Sequence, residues 1–195
     1  EGRTYPIRSD SILYSSVSNG TDDGYQFGDV NSLNWSADYM KVGYSGNLPY
    51  YFAHMTFRNV SIPRGSTIDS VDLNFRSLYN ATNTCSFRLG FEDSDNSTPI
   101  DIYPPYVADR AYVPIGVWID PYTQSWSAGE WLSINNLSAS LQLVIDRSGW
   151  SSGNNISLGW APYAASGGFR YIYSNDSGDG SSAPWLYITY TEPED

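Results

Sequence analysis

The residue types that perform acid–base and nucleophilic chemistry are scarce in this chain of 195 residues. His54 is the only histidine, and it lies in a strand-like run beside Met55 and Phe57. We expect it to be structural rather than a general base. Cys85 is the only cysteine, so no intrachain disulfide can form, and no base lies near it in the sequence. A buried, inert thiol is the favoured interpretation, and one histidine with one cysteine does not suit zinc.

Carboxylates are abundant, and two chemistries could use them. A pair of acids can hydrolyse a glycoside, but 16 of the 21 acids are Asp. Most of these lie at turns, where Asp caps backbone N–H groups, and no pair stands out. We therefore predict no enzyme activity and no catalytic residues. Oxygen-rich loops also suit calcium, although solvated turns are the favoured interpretation, and no other cofactor is predicted. The calcium candidates are Asp22, Asp23, Asp93, Asp95, Asp176 and Asp179.

Asparagine marks a possible modification. Eight of the 14 asparagines lie in N-x-S/T tripeptides, whereas the content of Ser and Thr gives about three by chance. An acceptor asparagine implies an exposed site on an exported chain, so we predict N-glycans and an extracellular or cell-surface location. The alternative is that loops rich in Ser, Thr and Asn produce the motif without glycosylation. The predicted acceptors are Asn19, Asn34, Asn59, Asn80, Asn96, Asn136, Asn155 and Asn175.

Aromatic side chains in loops could bind a carbohydrate by stacking on sugar rings. The candidates occupy a proline-rich part of the chain and are Tyr103, Tyr106, Tyr122 and Trp126. The neighbouring Trp118 and Trp131 flank strand-like runs, and burial in the core is the alternative for them. We expect Trp150 to be structural.

Charge and composition narrow the possible partners. The net charge is −11, from 10 basic and 21 acidic residues. This balance argues against DNA, RNA or an anionic membrane as a partner. Aromatic residues make up 16% of the chain, which excludes disorder. No apolar run approaches the roughly 18 residues of a membrane span, and no basic-then-apolar leader opens the chain, so we expect no membrane insertion.

Many short β-runs separated by turns must position these residues. The run from Thr67 to Leu78 alternates apolar and polar side chains, as does the run from Ser86 to Phe91. One segment follows helical spacing instead, with Leu137, Leu141, Val144 and Ile145 on one stripe, and Asn135 or Asn136 could cap it. The pattern predicts an all-β fold, an antiparallel β-sandwich of jelly-roll type with one short helix near 137–146.

The predicted core follows from this alternation and from the helical stripe. Its members are Phe57, Ile68, Val71, Leu73, Phe75, Phe87, Leu89, Leu141, Val144, Ile156, Leu158, Leu186 and Ile188.

Three stretches together resemble a known family. They run from Met55 to Phe75, from Leu141 to Asn154, and from Phe169 to Tyr190. Their order and spacing are similar to DNRLRE-type jelly-roll modules, which are repeated in large secreted bacterial and archaeal surface proteins. The stretch around Arg147-Ser-Gly-Trp150 is the most specific. The resemblance implies a β-sandwich from a setting of adhesins, surface layers and polysaccharide-binding proteins, and it implies no catalytic site.

The expected organisation is an N-terminal strand-like arm at 1–17, one sandwich module at 18–190 and an acidic tail at 191–195. The arm carries Tyr5, Ile7, Ile12 and Leu13, and it could pair with its own sheet or with a neighbour's. We predict a glycosylated structural subunit of a surface fibre, appendage or surface layer that assembles with itself through strand contacts. The alternative is a carbohydrate-binding module of a secreted protein.

Overall fold

Two packed antiparallel β-sheets and one short helix make up the fold, which confirms the predicted fold class. The computed structural model describes residues 10–28, 32–44, 50–100, 107–114, 117–122, 124–162, 168–178 and 180–194. The strands are β1 (Asp10–Ser16), β2 (Asp23–Phe27), β3 (Ser32–Asn34), β4 (Tyr39–Tyr44), β5 (Tyr50–Phe57), β6 (Thr67–Arg76), β7 (Cys85–Phe91), β8 (Val117–Tyr122), β9 (Trp131–Ile134), β10 (Ile156–Pro162), β11 (Gly168–Tyr173) and β12 (Trp185–Thr191), with helix α1 (Ser138–Ile145) between β9 and β10.

The small sheet has the strand order β1-β12-β6-β9. Its longest strand, β6, buries Val71, Leu73 and Phe75 at alternate positions, as the sequence predicts. The alternation shifts by one residue near the start of β6, because Tyr190 of β12 pairs with Ile68 while Thr189 pairs with Ser70. The extra residue is a β-bulge, and it explains why the buried positions are 68 and 71 rather than 69 and 71.

The large sheet has the order β11-β4-β5-β10-β7-β8, with β2 paired to β5 and β3 paired to β2. Alternate residues of β5, β7 and β10 face the small sheet and fill the space between the two layers. Every residue of the predicted core is buried, including Phe57, Leu89 and Leu158 at 0% exposure.

Helix α1 packs against β6 and β7 through its buried face of Leu141, Val144 and Ile145. The predicted asparagine cap is wrong: Leu137 occupies the N-cap position without a side-chain cap bond, and Asn136 adopts a φ of 68°. Gln142 ties the helix to β6, since its Oε1 accepts from the N–H of Ile68 at 2.7 Å. No helix among the described residues is long and apolar enough to cross a membrane.

The N-terminal strand belongs to the chain's own sandwich. β1 pairs with β12 over its whole length, from Asp10 opposite Thr191 to Ser16 opposite Trp185. Of the two expected pairings for the arm, residues 10–16 therefore adopt the one with their own sheet. Leu13 packs against the core, whereas Ile12 is exposed. Tyr5 and Ile7 lie outside the described residues.

The outer face of β2, β5 and β10 is covered by the connection after β7, where Ile100 and Val107 are buried. Arg110 holds this cover in place by donating to Glu92 Oε2 at 2.9 Å and to the carbonyl oxygen of Thr98 at 2.8 Å. Gly159 of β10 leaves room for the ring of Tyr112, which a Cβ at position 159 would overlap. The cover extends to β2, where the N–H of Ala108 donates to Gln26 Oε1 at 3.0 Å and Ile100 lies against Gly24.

Candidate functional site

A cluster of aromatic side chains lies on the large sheet, on the face of β2 and β5 opposite to the covered one. Strand register places it there, because Tyr25 pairs with Ala53, Phe27 with Tyr51 and Tyr51 with Gly43. In β4, Met40 and Val42 face the core while Tyr39 and Lys41 face outward, and β11 repeats the pattern around the buried Ile172. We call this surface the aromatic face and define it as Tyr25, Phe27, Tyr39, Tyr51, Phe169 and Tyr171.

The rings of the aromatic face contact one another in a continuous series. Tyr25 and Tyr39 are stacked, with centroids 5.6 Å apart and planes at 15°. Tyr51 contacts Phe27 at 5.1 Å and meets Phe169 edge-on at 5.3 Å. These separations fall in the range of favourable aromatic pairs, so the rings hold each other in fixed orientations. The result is a preformed apolar surface, and Phe27 at its margin is 37% exposed.

Lys41, the only lysine in the sequence, lies at the centre of this surface. Its Nζ lies 3.8 Å from the ring centroid of Tyr51, 4.0 Å from that of Phe169 and 5.1 Å from that of Tyr171. Cation–π attraction of this kind fixes the ammonium group among the rings. A hydrogen-bond donor therefore stands in the middle of an apolar platform.

Polar groups border the aromatic face on the side of β2 and β3. The Nδ2 of Asn34 donates to the hydroxyl oxygen of Tyr25 at 3.2 Å. The hydrogen bond with Tyr25 raises the pKa of Tyr39, so the Tyr39 phenol stays protonated at neutral pH. An open recess of about 370 Å³ lies between these strands, lined by Tyr25, Phe27, Ser32, Leu33, Asn34 and Tyr51.

The aromatic residues chosen from the sequence are not in this cluster. Trp126 is 2% exposed and packs in the core, 5.1 Å from the ring of Phe75, so the prediction that it contacts a carbohydrate is wrong. Tyr122 lies in β8, and Tyr103 and Tyr106 lie outside the described residues. The sequence analysis searched loops, whereas the cluster is built from strands. One signal in the sequence could have indicated the cluster. Aromatic residues occupy alternate positions of β11 and β4, on the side opposite the apolar core positions.

Arginine side chains neutralise several of the predicted calcium ligands. Arg147 donates to Asp95 Oδ1 at 2.6 Å and also contacts Asp93. The Nε of Arg58 lies 2.8 Å from both carboxylate oxygens of the buried Asp22. These carboxylates are committed to salt bridges, so the calcium prediction has lost its support at Asp22, Asp93 and Asp95.

Asp23 and Asp176 approach each other beside Asp22, while Asp179 lies outside the described residues. Asp23 is 1% exposed, and burial raises its pKa to about 8. One of its oxygens accepts from the N–H of Asn175 at 2.8 Å. Within the described part of the chain, no group of three or more His, Cys, Asp or Glu residues is placed to hold a metal ion.

The eight candidate glycosylation asparagines differ in exposure. Five are exposed and three are half-buried, the half-buried ones being Asn34, Asn155 and Asn175. Asn155 joins two others in one hydrogen-bonded corner: its Oδ1 accepts from the N–H of Asn59 at 3.1 Å, and its own N–H donates to Asn96 Oδ1 at 2.8 Å. The side chains of Asn155 and Asn96 therefore stabilise a loop junction, and the left-handed φ of 53° favours an asparagine at position 59.

The two residues weighed for nucleophilic or base chemistry are both in the interior. His54 is 0% exposed, and burial holds its pKa well below the usual value, so the ring is neutral at pH 7. Its Nε2 lies 3.2 Å from the hydroxyl of Thr56. Cys85 is also buried, and burial raises the pKa of its thiol to about 11. Neither group is accessible to a substrate in the form that catalysis requires.

Comparisons with known proteins give a similarity of fold only. No protein-family model matches the chain, and no curated protein matches it. Among solved structures, the chain is similar to a family 35 carbohydrate binding module from Clostridium thermocellum, with 9% identity, a TM-score of 0.28, and 94% of this chain and 99% of that chain covered. It is also similar to the CBM22-1-GH10 modules of the Clostridium thermocellum xylanase 10B complexed with xylohexaose, with 13% identity and a TM-score of 0.27 over 94% of this chain and 28% of that chain. Similarity at this level identifies no ligand for this chain.

Proposed function

We propose that this chain is a non-catalytic carbohydrate-binding β-sandwich and that the aromatic face holds the sugar. The observation that carries the proposal is the continuous series of half-buried rings from Tyr39 to Phe169, with polar donors in its centre and along its border. A sugar ring has an apolar face of C–H groups and an equatorial belt of hydroxyls. It therefore matches an apolar platform that is surrounded by a few fixed donors and acceptors.

The arrangement of polar groups supports one orientation of the ligand. A sugar stacked over Tyr51 would have its hydroxyls within reach of Lys41 on one side and of Asn34 and Tyr25 on the other. The recess beside β3 would take the neighbouring sugar of a chain. The net charge of −11 disfavours polyanionic glycans, so a neutral polysaccharide is the expected class of ligand.

Affinity gel electrophoresis tests the proposal. The chain should migrate more slowly in gels that contain a neutral β-glucan, xylan or mannan than in a plain gel. Tyr51→Ala and Phe169→Ala should each weaken the retardation by about tenfold or more, because about 1.4 kcal/mol of stacking corresponds to a factor of ten. Trp131→Ala is the matched control, since Trp131 is an exposed aromatic residue on β9 of the opposite sheet. Equal retardation of Tyr51→Ala and the native chain would contradict the proposal.

An extracellular location and N-glycosylation belong to the same proposal. Their support is the excess of N-x-S/T tripeptides and the exposure of five acceptor asparagines. Asn34 is the informative acceptor, because it borders the aromatic face. A glycan attached there would compete with a soluble ligand for the same rings. Ser36→Ala removes the acceptor motif but keeps the Asn34 side chain, so this variant should bind at least as tightly as the native chain when both are made in a glycosylating host.

A structural subunit of a surface fibre, appendage or surface layer is the second candidate function. The observation that favours it is the exposure of Ile12 and Tyr14 on the edge strand β1, where a contact with another subunit would bury them. Negative-stain images of the purified chain separate the two candidates. Regular filaments would favour the structural subunit, and discrete particles that bind a polysaccharide gel would favour the carbohydrate-binding module.

A further inference from the structure

Strand β1 forms one edge of the small sheet and exposes two large hydrophobic side chains. Tyr14 is 67% exposed and Ile12 is 56% exposed, the highest values among its large hydrophobic residues. Proteins usually protect a sheet edge with lysine, proline, a bulge or an inward charge. β1 has no such device after Asp10, and its register with β12 is regular. An edge of this composition is a template for pairing.

The backbone of β1 is oriented for such pairing. The N–H of Val17 donates to the carbonyl oxygen of Pro184 at 3.0 Å, and these two residues continue the register of β1 with β12. In an antiparallel ladder, hydrogen-bonded pairs alternate with pairs whose polar groups point outward. The outward groups therefore belong to Asp10, Ile12, Tyr14 and Ser16. No strand lies on that side among the residues that the structure describes.

We propose that this edge pairs with the β1 strand of a second copy of the chain, antiparallel and about a two-fold axis at Leu13. In this register Asp10 lies opposite Ser16 of the partner subunit, and Ile12 lies opposite Tyr14 of the partner subunit. Each of the four outward-facing residues then exchanges both of its backbone hydrogen bonds. Moving the axis by one residue in either direction leaves one of the four without a partner in β1, so the axis at Leu13 gives the largest number of bonds.

The side chains are self-complementary in the same register. A branched aliphatic residue opposite an aromatic residue is a favourable cross-strand pair, and the two-fold axis creates it twice. No like charges meet, because the only charged residue of β1, Asp10, lies opposite a serine.

A recess is already present at the point where the incoming side chain would rest. Tyr14 leans on Tyr187 at 5.1 Å and on Trp185 at 5.9 Å. An open recess of about 320 Å³ lies beside them, lined by Tyr14, Ser15, Ser16 and Trp185. The Ile12 side chain of the partner subunit, placed opposite Tyr14, would enter this space.

Glycosylation would leave this contact free. None of the eight candidate asparagines lies in β1, β6, β9 or β12, the strands of the small sheet. A two-fold contact also uses the same patch on both subunits and closes on itself, so it gives a dimer rather than a fibre. The occupant of the edge is therefore a second copy of this chain, and the assembly has two subunits.

Sedimentation velocity with charge variants tests the dimer. The native chain should sediment as a dimer at micromolar concentration. The double variants Ile12→Lys/Tyr14→Lys and Ile12→Glu/Tyr14→Glu should each be folded monomers, because each introduced charge lies opposite a like charge. Mixing the two variants should restore a dimer, since every Lys then faces a Glu. Trp131→Lys is the control: Trp131 is 46% exposed on β9, the other edge of the same sheet, and this variant should remain a dimer.

A distance measurement tests the register while leaving Ile12 and Tyr14 unchanged. A spin label on Ser16→Cys should report a backbone separation of about 20 Å between subunits, from six residues at about 3.4 Å each. The buried Cys85 does not compete for the label. A native chain that is monomeric at about 100 µM, open-ended filaments, or a mixture of Lys and Glu variants that stays monomeric would each overturn the proposal. A label separation far from 20 Å would overturn the register.

Discussion

Replacing Asp23 with asparagine should stabilise the fold at alkaline pH. Asp23 is 1% exposed, and its pKa of about 8 compares with 3.8 for an ordinary aspartate. Burial is the main cause, and the nearby charges of Asp176 and Asp22 add to it. The hydrogen bond from the N–H of Asn175 opposes the shift only partly. Asparagine has nearly the same shape and keeps an oxygen for that N–H, but it never carries the charge.

The sign and size of the effect follow from proton linkage. Between about pH 4 and pH 8 the folded chain holds a proton on Asp23 that the unfolded chain has lost. The stability from this group is therefore complete below about pH 4, and it falls by up to about 1.4 kcal/mol per pH unit until about pH 8. A shift of about four units gives an upper limit of about 6 kcal/mol, which is comparable with the whole stability of a typical domain.

Urea unfolding from pH 5 to pH 9 measures this effect as a difference between variants. Buried, neutral His54 acts in the opposite direction below about pH 6.5, since unfolding lets it bind a proton. Both chains contain His54, so its contribution cancels when the unfolding free energy of the native chain is subtracted from that of Asp23→Asn. This difference in unfolding free energy should grow steadily up to about pH 8. Asp176→Asn is the control that should shrink the pH dependence without abolishing it. A difference that is flat between pH 6 and pH 8 would refute the reasoning.

Three further measurements address the core, the loops and the modification. Leu73→Ala should lower the free energy of unfolding by about 2–5 kcal/mol, and a loss below roughly half a kcal/mol would contradict the burial of β6. Asn155→Ala should destabilise the unglycosylated chain by about 1–3 kcal/mol, because it removes two hydrogen bonds, one from the N–H of Asn59 and one to the carbonyl oxygen of Ser97; Asn80→Ala, which removes only the bond from the N–H of Ala128, should cost less. The intact mass should exceed 21.7 kDa before enzymatic removal of glycans and should fall to about 21.7 kDa afterwards. A mass of 21.7 kDa before treatment would contradict N-glycosylation.

Much of the fold could be predicted because alternation and helical spacing are local signals. In β6, the run of Val71, Leu73 and Phe75 fixes which face is buried, and the structure agrees. The stripe of Leu141, Val144 and Ile145 likewise locates α1 within one or two residues. The helix cap was missed because Asn136 adopts a left-handed φ, which places Leu137 at the N-cap instead.

The candidate site could not be predicted because it depends on strand order. Tyr25, Tyr39, Tyr51 and Tyr171 are spread over most of the chain, and only the pairing of β11 with β4, and of β2 with β5, brings them together. Trp126 was misjudged for the same reason. It looks like a loop aromatic in the sequence, but its bridge with Ala81 turns it into the core. Local patterns predict which face of a strand is buried, and only topology decides which outer faces are neighbours.

The two proposals together predict bivalent binding. The two-fold axis of the proposed dimer runs perpendicular to the joined small sheets, so both large sheets lie on the same side of the dimer. The two aromatic faces then point in one direction and can bind one extended polysaccharide or one coated surface at two places. Binding at two places raises the apparent affinity for a polymer without changing the affinity of either site. Ile12→Lys/Tyr14→Lys should therefore lose at least tenfold in retention on an immobilised polysaccharide, while its affinity for a short soluble oligosaccharide stays that of the native chain. If the variant keeps full retention on the polymer, the two aromatic faces act independently and the dimer makes no contribution to binding.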